Sequence, residues 1–357
     1  DIFFTLSGFL ITSILLAELD QFRSISFLNF YARRFLRLLP CLGMVLAAVL
    51  AIWALRGHLD DVLREVVFSA TYSMNWFRAC GGVGGGPLDH TWTLAIEEQF
   101  YLIWPFVIGL ACRNANRRTA QGCCLLAASL TVVVYRVSVS TVFSKERIHY
   151  GLDTHADPLL MGSALACLLS GEQIKLNGLF SRLFSYVLVP AALLAIGFIV
   201  TNWSWGTGGL VLTIGYPLVG LATVILLLDC VAGKQSLVRP ILEWSALVWI
   251  GRISYGIYLW HLPIFLVLRS QGLDGWKSLL FLGGGLTLAV SALSYYLVER
   301  QCLRLKSFFT RGRHRVRTID SHATMAILSI GLGRGRFERL DHPAAEEVHP
   351  VSNNSTG

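Results

Sequence analysis

This chain is poor in charged residues. Asp, Glu, Lys and Arg make up 15% of its 357 residues and hydrophobic residues 54%, where a soluble domain carries roughly 25% charge. Apolar runs of about 20 residues recur, long enough to cross a bilayer as helices, and the two features together exclude an ordinary soluble globule. No CxxC spacing occurs among the eight cysteines, which lie mostly in or beside apolar segments, as Cys41, Cys123, Cys124 and Cys167 do. That is small-hydrophobe usage; it excludes a disulfide scaffold and gives no metal site. The glycine run CGGVGGGPLDH lacks a lysine–serine ending and any strand-to-helix context, which excludes a phosphate-binding P-loop. The net charge of +8 does not point to nucleic acid, because the basic residues sit between hydrophobic runs and in the tail.

What is present is hydrophobic helix. Nine spans fit: 2–19, 40–55, 92–111, 122–139, a fifth entered through DTHADPLLMGSALACLL, then 187–202, 208–229, 246–268 and 279–297. The expected fold is all-α, a polytopic transmembrane bundle over 1–300, with a basic, loosely ordered tail over 301–357. Gly8, between Ser7 and Phe9, allows either close helix approach or a local break. FLNFYARRFLRLLP reads as a basic connection, with Pro40 starting the second span, and residues 56–91 and 140–155 read as loops. Orientation follows from Lys and Arg. Connections on the side of Arg33, Arg34 and Arg37 also hold Arg113, Arg117, Arg118, Lys175, Arg182, Lys234 and Arg239. The opposite loops hold fewer, which makes the first side, and with nine spans the C-terminus, cytoplasmic.

Candidate chemistry begins at LDHTWTLAIEEQFYLIWPFVI, residues 88–108, which sets Glu97 and Glu98 in an apolar run edged by His90, Trp92, Tyr101 and Trp104. Carboxylates there resist leaving water, so they read as functional. On a helix Glu97 and Tyr101 share a face, while the two acids point roughly 100° apart. One acid is expected to face the interior, orienting a base or binding a sugar hydroxyl; the alternative is that they satisfy loop groups near the interface. In GRISYGIYLWHLPIFL, Tyr255, Tyr258 and His261 recur about every three residues along one helix side, with Pro263 expected to bend the helix. His261 could donate to a substrate oxygen, pair with a carboxylate, or be held by a tyrosine or carbonyl. Arg33 and Arg37 share a face, where guanidinium groups grip phosphates bidentately or set topology. Asp153, His155 and Asp157 read as a hydrogen-bonded helix entrance rather than metal ligands, and Glu299 as a counter-charge to Arg300 or a neighbouring basic group.

Four segments in order, DIFFTLSGFLIT at 1–12, FYARRFLRLLP at 30–40, HTWTLAIEEQFYLIWP at 90–105 and GRISYGIYLWHLPI at 251–264, resemble the membrane-bound acyltransferase-3 family of bacterial O-acyltransferases, as does DTHADPLLMGSALA at 153–166. The resemblance covers about 1–300. It implies a ten-helix bundle in the lipid of the bacterial cytoplasmic (inner) membrane, with no permanently bound cofactor. Such a bundle takes an acyl group, usually acetyl from acetyl-CoA on the cytoplasmic side, to a hydroxyl of a cell-surface carbohydrate or exported glycosylated metabolite. Arg33, Arg34 and Arg37 match the family's basic motif and are implied as contacts for the CoA phosphates. Glu97 and Glu98 match its acidic motif, and Tyr258 and His261 its late tyrosine–histidine helix.

Two departures accompany the resemblance. The family's first helix carries the histidine usually taken as catalytic, with an arginine nearer its start. Nine spans and an opening without methionine lead to the expectation that this chain enters after that helix, so the principal base is assigned to no residue here. His155 stands where the family commonly has arginine, which changes the local charge. The implied chemistry is deprotonation of the acceptor hydroxyl, with Glu97 or Glu98 steadying the base and His261 or Tyr258 stabilising the oxyanion. A membrane transporter or flippase of a sugar or lipid-linked substrate is the alternative, since it also needs buried polar residues. The absence of an obvious repeat between the two halves speaks against it.

Overall fold

A computed structural model describes residues 1–171, 184–202, 211–232 and 236–309, and among these no strand occurs. Lys175, Arg182 and Lys234 of the orientation argument, and residues 310–357 of the expected tail, lie outside the described residues. The helices are α1 Ile2–Phe22, α2 Phe27–Leu55, α3 Leu59–Ala70, α4 Met74–Ala79, α5 Trp92–Ala111, α6 Arg118–Val139, α7 Lys145–Tyr150, α8 Leu152–His155 and α9 Asp157–Gly171. They continue with α10 Val189–Thr201, α11 Tyr216–Ala232, α12 Arg239–Leu242 and α13 Ser245–Ser270. The last, α14, is the run Ser278–Phe309, in which π-helical and α-helical stretches alternate.

Eight helices are long and apolar enough to cross a membrane among the described residues. The fifth of the nine expected spans is the exception. Its apolar helix, Asp157–Ser170, belongs to the shorter class and falls below the roughly 20 residues a crossing needs.

The interior is built on α1 and α9, which cross with their backbones nearly touching. A Cβ on Gly8 would stand 2.0 Å from the Leu159 carbonyl oxygen, and one on Gly162 would stand 1.9 Å from that of Thr5. Ser163 donates to the Gly8 carbonyl at 3.2 Å. Helices without a hydrophobic driving force between them depend on such small-residue contacts, and α1 runs unbroken through Gly8. Gly162→Leu should therefore separate α1 from α9, costing about 3 kcal/mol or more. A thermal midpoint in detergent equal to that of the unaltered protein would refute this.

Several boundaries differ from expectation. The helix α2 begins at Phe27 and passes through Pro40, so the basic connection is its first turns. Proline forfeits one backbone hydrogen bond, to the Leu36 carbonyl, a loss that neighbouring helices compensate in a bundle. Likewise α13 continues through Pro263 to Ser270. The segment 56–91 folds into α3, α4 and a pinned glycine turn, and 140–155 into α7 and α8. The run α14 carries helical structure past residue 300 to Phe309.

Of the two alternatives for Glu299, Arg300 is not its partner, whereas Arg37 of α2 is a neighbouring basic group whose charge acts on it. Glu299 is buried, and Ser294 donates to its Oε1 at 3.0 Å, next to Cys41 of α2. Arg300 instead lies over the Tyr296 ring, 5.9 Å from its centroid.

Candidate active site

A cavity of about 410 Å³ lies between α1, α2, α5 and α13, with Lys306 of α14 at one end. That end carries Arg33, Arg34 and Arg37 from α2 and Lys306 from α14; its side wall is apolar, with Leu6, Leu10 and Ile14 of α1. Its other end is polar, formed by Asp1, Ser7, Thr93, Glu97 and Tyr258. Burying the basic connection in a helix is what puts three arginines at fixed spacing on a cavity wall.

The structure separates the two acids. Glu97 lines the cavity, and Ser7 donates to its Oε1 at 3.0 Å. Glu98 turns to Arg34, with Nη2 to Oε1 at 3.0 Å. The Arg34 guanidinium also lies 3.4 Å from the centroid of the Tyr101 ring, a cation–π contact that helps hold the charge away from bulk water. Arg33 reaches Glu18 at 3.4 Å and donates to the carbonyl of Phe309 at 2.8 Å. The end of α14 is thereby tied to the basic wall beside Lys306.

Tyr258 donates to the backbone carbonyl of His90, and its oxygen lies 2.6 Å from Thr93 Oγ1. Because the carbonyl takes the phenol proton, the threonine hydroxyl donates to Tyr258. His261 is not on the cavity wall. Its Nδ1 is 2.6 Å from the Tyr258 carbonyl, which can only accept, so Nε2 is the nitrogen free of a proton when the ring is neutral. The ring packs edge-on against His90 with centroids 5.0 Å apart. Glu97, Tyr258, Arg33, Arg34 and Arg37 thus share one cavity, Glu98 serves Arg34, and His261 stands one turn from Tyr258.

Of the acid–histidine–acid triplet, Asp153 takes two hydrogen bonds from Arg147, at 2.9 and 2.7 Å. Asp157 takes two from Arg136, at 2.6 and 3.1 Å. The Arg147 guanidinium holds the Asp153 carboxyl below the usual range, against the upward push of its partial burial. His155 bonds the carbonyl of His149 and the carboxyl of Asp1. Burial pushes the imidazoles of His149 and His155 down to about 3. Three carboxyl–cation or carboxyl–imidazole pairs account for this region, and no group of His, Cys, Asp and Glu arranged to hold a metal occurs among the described residues.

Opposite the basic end, the glycine turn closes over α3. Glu65 Oε2 accepts from the Leu88 N–H at 2.9 Å, Asp89 Oδ2 from the Gly85 N–H at 3.0 Å, and Arg78 pairs with Asp89 at 3.0 Å. Gly85 has φ +92°, which favours glycine. A Cβ on Gly86 would fall 1.5 Å from Glu65 Oε1. Burial pushes the Glu65 carboxyl up to about 7, so the folded segment favours the protonated acid. The resulting stability is complete below the ordinary carboxylate range and is lost as pH rises through about 7. Amide protection across 59–91, with the intrinsic rise of exchange with pH divided out, should therefore fall between about pH 5 and about pH 8, and Glu65→Gln should flatten the change. An equally steep loss of protection in Glu65→Gln would assign it to another group.

Sequence reasoning missed Ser7, Thr93 and Lys306. Arg136 did carry a signal, since an arginine inside the apolar run TVVVYRVSV has to find a partner.

Membrane-length helices around a cavity with cations at one end and a carboxylate at the other describe a polytopic membrane protein that can hold an anionic substrate. Residues 1–296 match the family model described as an acyltransferase domain, and the chain belongs to the membrane-bound acyltransferase-3 family. It is a multi-pass protein of the bacterial cytoplasmic membrane. It is similar to the putative peptidoglycan O-acetyltransferase YrhL of Bacillus subtilis (strain 168), with 31% identity over 366 residues, 93% of this chain and 55% of that protein. It is also similar to the peptidoglycan O-acetyltransferase OatA of Listeria monocytogenes, with 30% identity over 84% of this chain and 50% of that protein. A putative O-acetyltransferase of Staphylococcus aureus (strain COL), SACOL0978, is 29% identical over 84% of this chain and 51% of its own length. The chain spans about half the length of these curated relatives. No solved structure matches it.

Proposed function

We propose that this chain transfers an acyl group, acetyl from acetyl-CoA, to a hydroxyl of a cell-envelope carbohydrate of the peptidoglycan kind. The polarity of this cavity carries this reading. Arg33, Arg37 and Lys306 offer charge to the phosphates of a CoA thioester, the apolar wall of α1 accepts its acyl arm, and the polar end receives the acceptor hydroxyl. The family membership, and the O-acetyltransferase activity for which the relatives are named, favour transfer over transport.

In this reading the basic end and the C-terminal tail, 301–357, face the cytoplasm, where acyl-CoA is found. The acceptor approaches from the opposite side. There a second hollow, lined by Trp53, Arg56, Ser270, Gln271 and the glycine turn, opens at the far ends of α2 and α13. An aromatic face beside hydrogen-bonding side chains suits a sugar ring. Glu97, steadied by Ser7, orients the group that deprotonates the acceptor, and Tyr258 donates to the oxyanion only by giving up its bond to the His90 carbonyl.

The test is mass spectrometry of envelope glycans from cells with and without the gene, together with release of free CoA from acetyl-CoA by purified protein. An acetyl-sized mass gain on a glycan that depends on the gene supports the reading. Unchanged glycans together with no release of CoA would sink it.

A further inference from the structure

One imidazole beside the cavity meets two hydrogen-bond acceptors. His155 is 1% exposed. Its Nδ1 stands 2.7 Å from the carbonyl oxygen of His149, and its Nε2 stands 2.6 Å from Oδ1 of Asp1. A carbonyl oxygen cannot donate, so Nδ1 carries a proton. In a neutral ring Nε2 would then be bare and would point its lone pair at a carboxylate 2.6 Å away. That contact is bonding only if the pair holds one more proton, either on Nε2 or on the Asp1 carboxyl. The ring has no room to turn away. It is stacked on Tyr216 with centroids 4.0 Å apart and meets the edge of Phe4 at 5.4 Å. Asp1 lines the cavity together with Glu97.

We propose that Asp1 and His155 hold this proton in common, and that the Asp1 carboxyl delivers it to the sulfur leaving an acyl thioester bound in the cavity. The delivery step rests on the acyl-transfer reading; the shared proton does not. As the bond from the acceptor oxygen to the acyl carbon forms and the carbon–sulfur bond breaks, the proton passes from the pair to the thiolate. The proton taken from the acceptor hydroxyl then returns to the pair, so a turnover leaves the protein as it began. Asp1 is the catalytic group and His155 its positioning residue.

The surroundings favour retention of the proton. The titratable and charged groups facing the pair are Glu97 of α5, His149 of α7, Tyr216 of α11, the Arg136–Asp157 pair of α6 and α9, and the α-amino group at Asp1, whose charge alone works against retention. Arg136 and Asp157 offset each other, His149 is held neutral by burial, and a charged Glu97 opposes formation of a second carboxylate in the same cavity. A guanidinium at position 155 would keep its charge and lend no proton.

The protein translated from the complete gene, purified in detergent, tests both parts. Infrared spectra should contain a carboxylic-acid carbonyl band that Asp1→Asn removes, or nitrogen NMR of labelled histidine should contain a doubly protonated ring that His155→Gln removes. A folded protein with neither feature overturns the shared proton, whether or not it transfers acyl groups. In the transfer assay, turnover should fall about tenfold per pH unit above the apparent pKa of the pair. His155→Arg, judged folded by size exclusion, should lose that alkaline fall. The same fall in His155→Arg overturns the delivery step. Absence of transfer by the unaltered protein at every pH, with the spectral feature present, overturns the delivery step together with the acyl-transfer reading.

Discussion

Asp157→Ala is expected to leave almost no folded protein that can be extracted from the membrane. Arg136 and Asp157 are both 0% exposed and meet through two parallel hydrogen bonds, at 2.6 and 3.1 Å. The same guanidinium donates to the carbonyl of Thr154 at 2.7 Å and to that of Thr213 at 3.0 Å. One side chain from α6 therefore ties down the entry to α9 and the approach to α11. Removing the carboxylate strands a guanidinium in the bundle, at a cost of about 3–5 kcal/mol. That is a large part of the 5–15 kcal/mol, roughly, that holds a typical domain together. Replacing both partners, as in Arg136→Leu with Asp157→Leu, should recover much of the loss, because no charge is then left unpaired. The readout is the yield of monodisperse protein and its thermal midpoint. A normal yield and midpoint for Asp157→Ala would mean that Arg136 finds another counter-charge.

How much of this was legible in advance depends on the physics behind each element. Long apolar runs such as 2–19 and 92–111 declare themselves, because a bilayer crossing needs length and apolarity and little else. The start of α2 was hidden because Pro40 reads locally as a helix start, whereas the bundle tolerates it within a helix that begins at Phe27. The helix α3 was hidden because LDDVLREVVFSA mixes charge with apolar residues, and only its packing against α2 selects a buried stripe. At the site, the spacing of Glu97 and Tyr101 was readable, and both line the cavity. Ser7 and Thr93 were not, since small hydroxyl residues are common in apolar helices and only the neighbouring helix gives them a partner. Lys306 joins Arg33 across a large sequence separation through the docking of α14 on α2, and no local pattern announces such a contact. His155 was readable as a hydrogen-bonded residue, but its partner Asp1 was not.

Glu97→Gln should lower acyl transfer by about 10²–10⁴-fold while the yield and thermal midpoint stay near those of the unaltered protein. The glutamine side chain keeps an oxygen to accept from Ser7, so the 3.0 Å contact survives and no cavity opens. On the proposed acyl-transfer reading, what disappears is the carboxyl group that orients a proton-accepting group at the polar end. Glu98→Gln separates the structural role from the chemical one. It removes the charge facing Arg34 across 3.0 Å, leaving a half-buried guanidinium supported by the Tyr101 ring and a neutral amide, so the midpoint should fall. Transfer by the fraction of Glu98→Gln that remains folded should exceed that of Glu97→Gln. Equal transfer by Glu97→Gln and the unaltered protein would reduce Glu97 to a hydrogen-bond partner of Ser7. The proton acceptor would then be sought one turn along α13 from Tyr258, at His261.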